Sequence, residues 1–146
     1  MKADARRRDP AAYPATLTLE TRFADMDVNG HLNNVAFARL FEETRVRFNR
    51  GVFGSAGPAA EKRSSVVIAH VAIDYLAEGN YPAPVTIGYG VSRIGSSSFT
   101  TAMAAFQEGV CIALCDSVLV HRDPQTGPAP ITPAVRTRLE AHALRG

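Results

Sequence analysis

Cysteine is scarce in this chain of 146 residues, and the shortage excludes several classes at once. Only Cys111 and Cys115 are present. Two cysteines form no disulfide framework, and two ligands do not make a metal site. They sit four apart in an apolar run with strand character. That spacing puts them on one face, too far apart along an extended strand to bond each other. They read as buried free thiols of a cytoplasmic protein. Long apolar runs are missing too. No stretch approaches the ~18 residues needed to cross a bilayer as a helix, so no membrane span is expected. The opening MKADARRRDPAAYP has a basic cluster but no apolar segment behind it, so it does not read as a signal peptide. A dominant charge is absent as well. The net charge is +2, which by itself points to no nucleic-acid partner and does not oppose an anionic ligand. There are no internal repeats.

What remains is ordinary globular composition, 46% hydrophobic and 21% charged. That length fits one domain with a real core. Residues 1–14 read as a flexible arm, with Arg6, Arg7 and Arg8 solvated. Residues 15–146 read as the domain. Thr16 to Phe23 alternates like a first strand. Gly51 to Arg63 reads as a loop that borders a pocket. Four strand-like segments follow at Ser65 to Leu76, Val85 to Ile94, Phe99 to Gln107 and Val110 to His121. Their short polar links suit an antiparallel meander. A Pro/Gly-rich exit leads to a terminal helix over Pro133 to Leu144. One early helix followed by consecutive strands implies α+β, with the helix packed on one face of a five-stranded antiparallel sheet.

The richest stretch is TRFADMDVNGHLNNVAFARLFEETRVRFNR, Thr21 to Arg50. Asp25 and Asp27 form a close carboxylate pair. Asn29-Gly30 is a turn signal. Asn33 or Asn34 suits a helix N-cap. Phe37, Leu40, Phe41, Thr44 and Phe48 then make one apolar stripe at helical spacing. Arg39, Glu43, Arg47 and Arg50 fall opposite, and Gly51 is the expected stop. An acidic turn feeding a helix N-terminus places a carboxylate beside free N–H groups that can hold an oxyanion. A plain helix cap has the same local pattern. The first half of a calcium loop also fits Asp25, Asp27, Asn29 and Gly30. That match fails at Ala36, where a bidentate Glu is required.

The string RFADMDVNGHLNN followed by FARLFEETR resembles the signature of hotdog-fold acyl-CoA thioesterases of the 4-hydroxybenzoyl-CoA thioesterase type, in the branch carrying Gly-His. The match is dense over some thirty residues and looser to the end of the last long strand. The resemblance implies a hotdog fold wrapped around one long central helix, no cofactor and no metal. It implies an acyl-CoA or acyl-carrier-protein substrate, and a homodimer or homotetramer with its site at the subunit boundary. Residue by residue it makes Asp27 the catalytic carboxylate and Asp25 a brace of the turn. Asn34 becomes the helix start whose N–H faces the thioester oxygen. Some relatives carry His or Tyr at the place of Asn34, so a His-dependent mechanism there is not expected. His31 orients Asp27 or the attacking water, or makes only a hydrogen bond within the turn. Asn33 and Phe37 join the substrate side; Phe37, Phe41 and Tyr75 are candidates for an acyl-pocket wall, although aromatic residues on a core-facing stripe are more often plain core. Arg93 and Ser96, Ser97 and Ser98 correspond to the family's hairpin that would meet CoA, or form only a hairpin turn.

Four more residues carry expectations. Glu42 and Arg45 suit an ion pair on the helix flank. His70, in an apolar strand, reads as a core residue. Asp116 interrupts another apolar strand and needs a partner, for which a subunit-interface hydrogen bond is the expectation. Two other functions stay open beside the thioesterase: a hotdog hydratase or dehydratase, and a non-catalytic acyl-ligand binder. The first usually sets His and Asp along the central helix, and Phe37 to Arg50 has neither.

Overall fold

A computed structural model of the chain describes residues 4–53 and 65–146. The main elements are β1 (Ala15–Leu19), α1 (Asn34–Phe53), β2 (Ser65–Tyr75), β3 (Val85–Ile94), β4 (Ser98–Gln107), β5 (Val110–Asp123), β6 (Gly127–Pro128) and α2 (Pro133–Ala141). The strands pair antiparallel in the order β1-β3-β4-β5-β2, and the two-residue β6 adds to β5. This is the hotdog arrangement, with α1 laid against a curled sheet. The expected five strands are present, with β6 as an addition, but the expected meander holds only for β3-β4-β5: β2 crosses over to pair with β5 at the sheet edge and does not pair with β3.

Burial of the α1 stripe explains the packing. Phe37, Leu40, Phe41, Thr44 and Val52 are buried against Val85, Ile87, Tyr89, Met103, Cys115 and Leu119 of the sheet. Each large apolar side chain so buried contributes roughly 1.5–3 kcal/mol. Phe48 stacks on Tyr89 with ring centroids 4.8 Å apart. Gly51 does not stop the helix, which continues through Val52 and Phe53. Tertiary burial of Val52 outweighs the modest helix cost of one glycine. The rest of the expected loop, residues 54–63, lies outside the described residues. The first strand also ends earlier than expected: the chain leaves β1 at Leu19 and makes a 3-10 turn at Phe23–Asp25, with Phe23 exposed.

The sheet's other face is covered by the chain ends, which corrects the reading of the arm. From Asp4 onward the arm makes two 3-10 turns, Ala5–Arg8 and Pro10–Ala12. Ala12 and Tyr13 pack with Ala104, Phe106 and Leu114. Arg7 is buried rather than solvated. Its Nη1 donates to Asp116 Oδ1 at 2.9 Å, its Nε to the Tyr13 hydroxyl at 3.0 Å and its Nη2 to the Met103 carbonyl at 3.2 Å. Asp116 Oδ1 thus has its partner in Arg7 of the same chain, while its buried Oδ2 has none among the described residues. Gly88 is required here, because a Cβ would stand 2.6 Å from the Tyr13 ring. The C-terminus joins in, with Arg145 N–H donating to the Ala12 carbonyl at 2.9 Å.

Three further expectations are corrected. Cys111 and Cys115 do not share a face: Cys115 packs in the helix-side core and Cys111 against the arm-side cluster. A register shift near the start of β5 inserts one residue and flips the parity. Burial, the largest influence on both thiols, pushes them up. His70 is exposed because β2 is an edge strand. Glu42 and Arg45 are not within ion-pair distance. Arg45 turns inward to Ser117 Oγ, at 3.2 Å, while Glu42 stays exposed.

Candidate active site

The Asp25–Asn34 turn is built by two carboxylates in opposite roles. Asp25 is buried, with 2% of its surface exposed. Its Oδ2 accepts from Arg22 N at 2.8 Å and Arg39 Nη2 at 2.8 Å, and its Oδ1 from Arg22 Nη2 at 3.0 Å. Burial works against its charge, but the Arg22 hydrogen bonds and the Arg39 and Arg22 charges more than offset that and hold its carboxyl below the ordinary value. The Asp25 carbonyl also accepts from Asn33 N at 2.8 Å. Asp25 therefore ties the turn to α1 through Arg39.

Asp27 is exposed. Its Oδ1 accepts from the backbone N–H groups of Asn29 (2.8 Å) and His31 (3.1 Å), which closes an Asx-type turn. No hydrogen bond from the described residues reaches its Oδ2. Gly30 sits at φ +80°, the left-handed conformation the turn demands. The His31 carbonyl accepts from Asp27 N at 2.7 Å, and the His31 ring turns away to Glu78, Nε2 to Oε2 3.0 Å. His31 thus holds Asp27 through its main chain and not through its ring.

Asn33 is the N-cap. Its Oδ1 accepts from Ala36 N at 2.7 Å and its carbonyl from Phe37 N at 3.2 Å. Among the described residues no acceptor meets the backbone N–H of Asn34 or Val35. Phe37, one turn on, meets Tyr75 of β2 edge to face at 5.4 Å. Asp27, His31, Asn33, Asn34 and Phe37 thus gather at one end of α1. Arg93, Ser96, Ser97 and Ser98 do not join them within one chain. Their hairpin lies at the other end, near Phe53, whose ring is 5.8 Å from Phe99. A helix of 20 residues spans about 30 Å. The hairpin's main chain is pinned by the C-terminal segment: Ser96 O accepts from Ile131 N at 2.9 Å and Gly95 O from Arg136 Nη2 at 2.7 Å. No hydrogen bond engages the side chains of Ser96, Ser97 or Ser98 among the described residues.

One structural partner of the turn had no local signal. Gln107 at the end of β4 is buried and clamps the β2–β3 connection. Its Nε2 donates to the carbonyls of Asn80 (2.7 Å) and Ala83 (2.9 Å), and its Oε1 accepts from Asn80 N (2.8 Å). That connection in turn receives Leu32 N on Gly79 O at 2.8 Å. A glutamine ending an apolar strand was the only hint. Among the described residues no cluster of three or more His, Cys, Asp or Glu is arranged to hold a metal, and no helix is long and apolar enough to cross a membrane.

An antiparallel sheet curled on one helix, with an acidic turn at the helix start, defines a hotdog-type protein. The thioesterase-like superfamily matches residues 21–139, and the chain belongs to that family. A Pseudomonas aeruginosa protein superposes with a TM-score of 0.83 at 25% identity, over 95% of this chain and 99% of its own. A predicted thioesterase from Bacillus stearothermophilus gives 0.81 at 30% identity, over 90% and 97%. A Thermus thermophilus thioesterase, in complex with coenzyme A and zinc, gives 0.73 at 29%, over 89% and 94%. No curated protein sequence matches.

Proposed function

We propose that the protein is an acyl-CoA thioesterase that cleaves an acyl-CoA to a carboxylic acid and CoA. The observation that carries this reading is an exposed Asp27 whose Oδ2 is unengaged, beside a helix start whose Asn34 and Val35 N–H groups lack acceptors, among the described residues. The N–H of Asn34 polarises the thioester oxygen and stabilises the oxyanion as the carbonyl carbon becomes tetrahedral. Asp27 takes a proton from the attacking water, or attacks the carbonyl itself to form an anhydride that water then opens. The C–S bond breaks and the CoA thiolate leaves, taking a proton from solvent, while Asp27, where it acted as base, gives its proton up to solvent. His31 fixes Asp27 through the main chain, Asn33 caps the helix that supplies the N–H, and Phe37 lines the acyl side.

CoA and the acyl group are shared between two copies in this reading. Arg93, Ser96, Ser97 and Ser98 of a second copy supply donors for the CoA phosphates and pantetheine. The edge strand β2 supports a homodimer, itself a unit from which a tetramer can be built. Among the described residues it pairs only with β5, and it exposes Val67, Ile68, Val71 and Tyr75. The coenzyme A held by the Thermus thermophilus relative supports CoA over a carrier protein. The cytoplasm is the proposed location, where acyl-CoA is met.

The test is thiol release from short, medium, long and aromatic acyl-CoAs by wild type and Asp27→Asn. The amide keeps the turn's acceptor, so folding is preserved while the base is lost. A fall of about 10²–10⁴ in kcat is expected. Turnover that survives the substitution removes Asp27 from its role. No turnover of any member favours the ligand-binding reading. Single turnover in heavy-oxygen water labels Asp27 only if it is the nucleophile.

A further inference from the structure

Two arginines are buried almost equally, Arg7 at 5% exposure and Arg45 at 6%, yet their surroundings differ. For Arg7, burial opposes the charge, but Tyr13 and Asp116 more than offset it, and the guanidinium is held above its ordinary value. For Arg45, burial dominates and pulls the guanidinium down. Among the described residues no carboxylate lies within ion-pair distance of it. Its one hydrogen bond among the described residues is to the neutral Ser117 Oγ, at 3.2 Å. Glu42, on the preceding turn, acts only at longer range. Thr101, directly across from Ser117 on β4, has a buried Oγ1 with no partner among the described residues. A desolvated cation beside an unused hydroxyl is costly to keep, and an anion seated there would remove the cost.

The location says which anion. Phe37, Phe41 and Arg45 recur at every fourth residue and share one side of α1. Phe37 meets Tyr75, and Tyr75 pairs with Ala113; Arg45 meets Ser117, and Ser117 pairs with Val71. From Phe37 to Arg45, and from Tyr75 to Val71, the α1 and β2 walls therefore run the same way over a floor of β5. Within one copy the β2 wall is uncovered, with Tyr75 49% and Val71 42% exposed, and the second copy proposed above would close over it. Arg45 lies about 16 Å along the helix from Asn34. Its side chain leans back toward the N-terminus, which leaves roughly 10 Å to the thioester position.

We propose that Arg45, with Ser117 and Thr101, binds an anionic group at the far end of the acyl chain, so that the preferred substrates are CoA esters of medium-length dicarboxylic acids. This rests on the thioesterase reading above and names its substrate class. Arg45 donates to the distal carboxylate, and the two hydroxyls donate to its remaining lone pairs. The aromatic pair Phe37–Tyr75 holds the methylenes between the two ends.

The test compares suberoyl-CoA with octanoyl-CoA, equal in chain length, in wild type, Arg45→Met and Arg45→Lys. Hydrolysis is measured beside binding by calorimetry, and size-exclusion chromatography checks assembly. Wild type is expected to favour suberoyl-CoA in kcat/KM by about tenfold to a hundredfold, the range of a buried charge-assisted hydrogen bond. Arg45→Met should equalise the two substrates, and Arg45→Lys, which retains the charge and guards against misfolding, should keep part of the preference. Hydrolysis of both substrates at equal rates by wild type overturns the proposal and leaves the thioesterase reading standing. Loss of the dimer in Arg45→Met with no change of preference also overturns it, and assigns the missing anion to a second copy of the chain. Should neither substrate turn over, the thioesterase reading fails alone if wild type still binds suberoyl-CoA more tightly through Arg45; equal binding ends both.

Discussion

Asp25 and Asp27 stand two residues apart and should fail in opposite ways. Replacing Asp25 with Asn keeps the shape and removes the charge. Arg22 N and Arg39 Nη2 both donate to Oδ2, while Arg22 Nε and Nη2 donate to Oδ1. An amide must turn its NH2 toward one of these pairs, so two donors face a donor whichever way it flips. Buried hydrogen bonds to a charged group are worth about 1.5–3 kcal/mol each. Arg22 is more than half exposed, so its share is discounted for solvent, while Arg39 is about two-thirds covered. The expected loss is about 2–4 kcal/mol of stability. For a chain of this size that lowers Tm by roughly 5–15 °C. The assay is urea and thermal unfolding of wild type, Asp25→Asn and Asp27→Asn. The last should unfold like wild type, because its amide oxygen still closes the turn. The pH dependence has a definite sign. Asp25 has a folded-state value below its unfolded one, so its contribution is present above the unfolded value, about pH 3.9. It is lost as pH falls through the folded value. The gap between wild type and Asp25→Asn should therefore be full at neutral pH and shrink in acid. Asp25→Asn within 0.5 kcal/mol (about the scatter of neutral surface changes) of wild type at pH 7 would refute the brace.

Other expectations concern the contacts that hold the site and the arm. Gln107→Leu removes three hydrogen bonds and strands the Asn80 and Ala83 groups. It should cost about 2–4 kcal/mol in urea unfolding, and faster hydrogen exchange should be confined to Leu32 and the β2–β3 connection. Asp116→Ala leaves Arg7 buried with only neutral partners. A loss of about 2–3 kcal/mol is expected, kept below the usual figure because Asp116 is partly exposed. The double substitution Arg7→Met with Asp116→Leu should recover most of that loss in the same unfolding assay.

The local features were legible where the physics is local. Asn29-Gly30 forces a turn, and Gly30 takes the left-handed conformation. Asn33 caps α1 because its oxygen reaches the first turn, and the Phe37-Leu40-Phe41-Thr44 stripe finds the sheet. Parity arguments failed where a register shift intervened: one extra residue in β5 separated Cys111 from Cys115. His70 was misread because an apolar strand at a sheet edge and one in its centre have the same sequence pattern.

The sequence by itself determined the element order, the acidic turn and the helix start beside it, since turn chemistry, capping and periodicity act over a few residues. Only the tertiary structure decided what lies across the sheet. Arg7 reaches Asp116 over 109 positions and Gln107 reaches the loop over 24 to 27. Nothing in the intervening chain encodes those meetings, which exist only once strand pairing has fixed the register. The same holds for Arg45, whose helical position was plain in the sequence but whose lack of a carboxylate partner among the described residues appears only when β5 sets Ser117 against it.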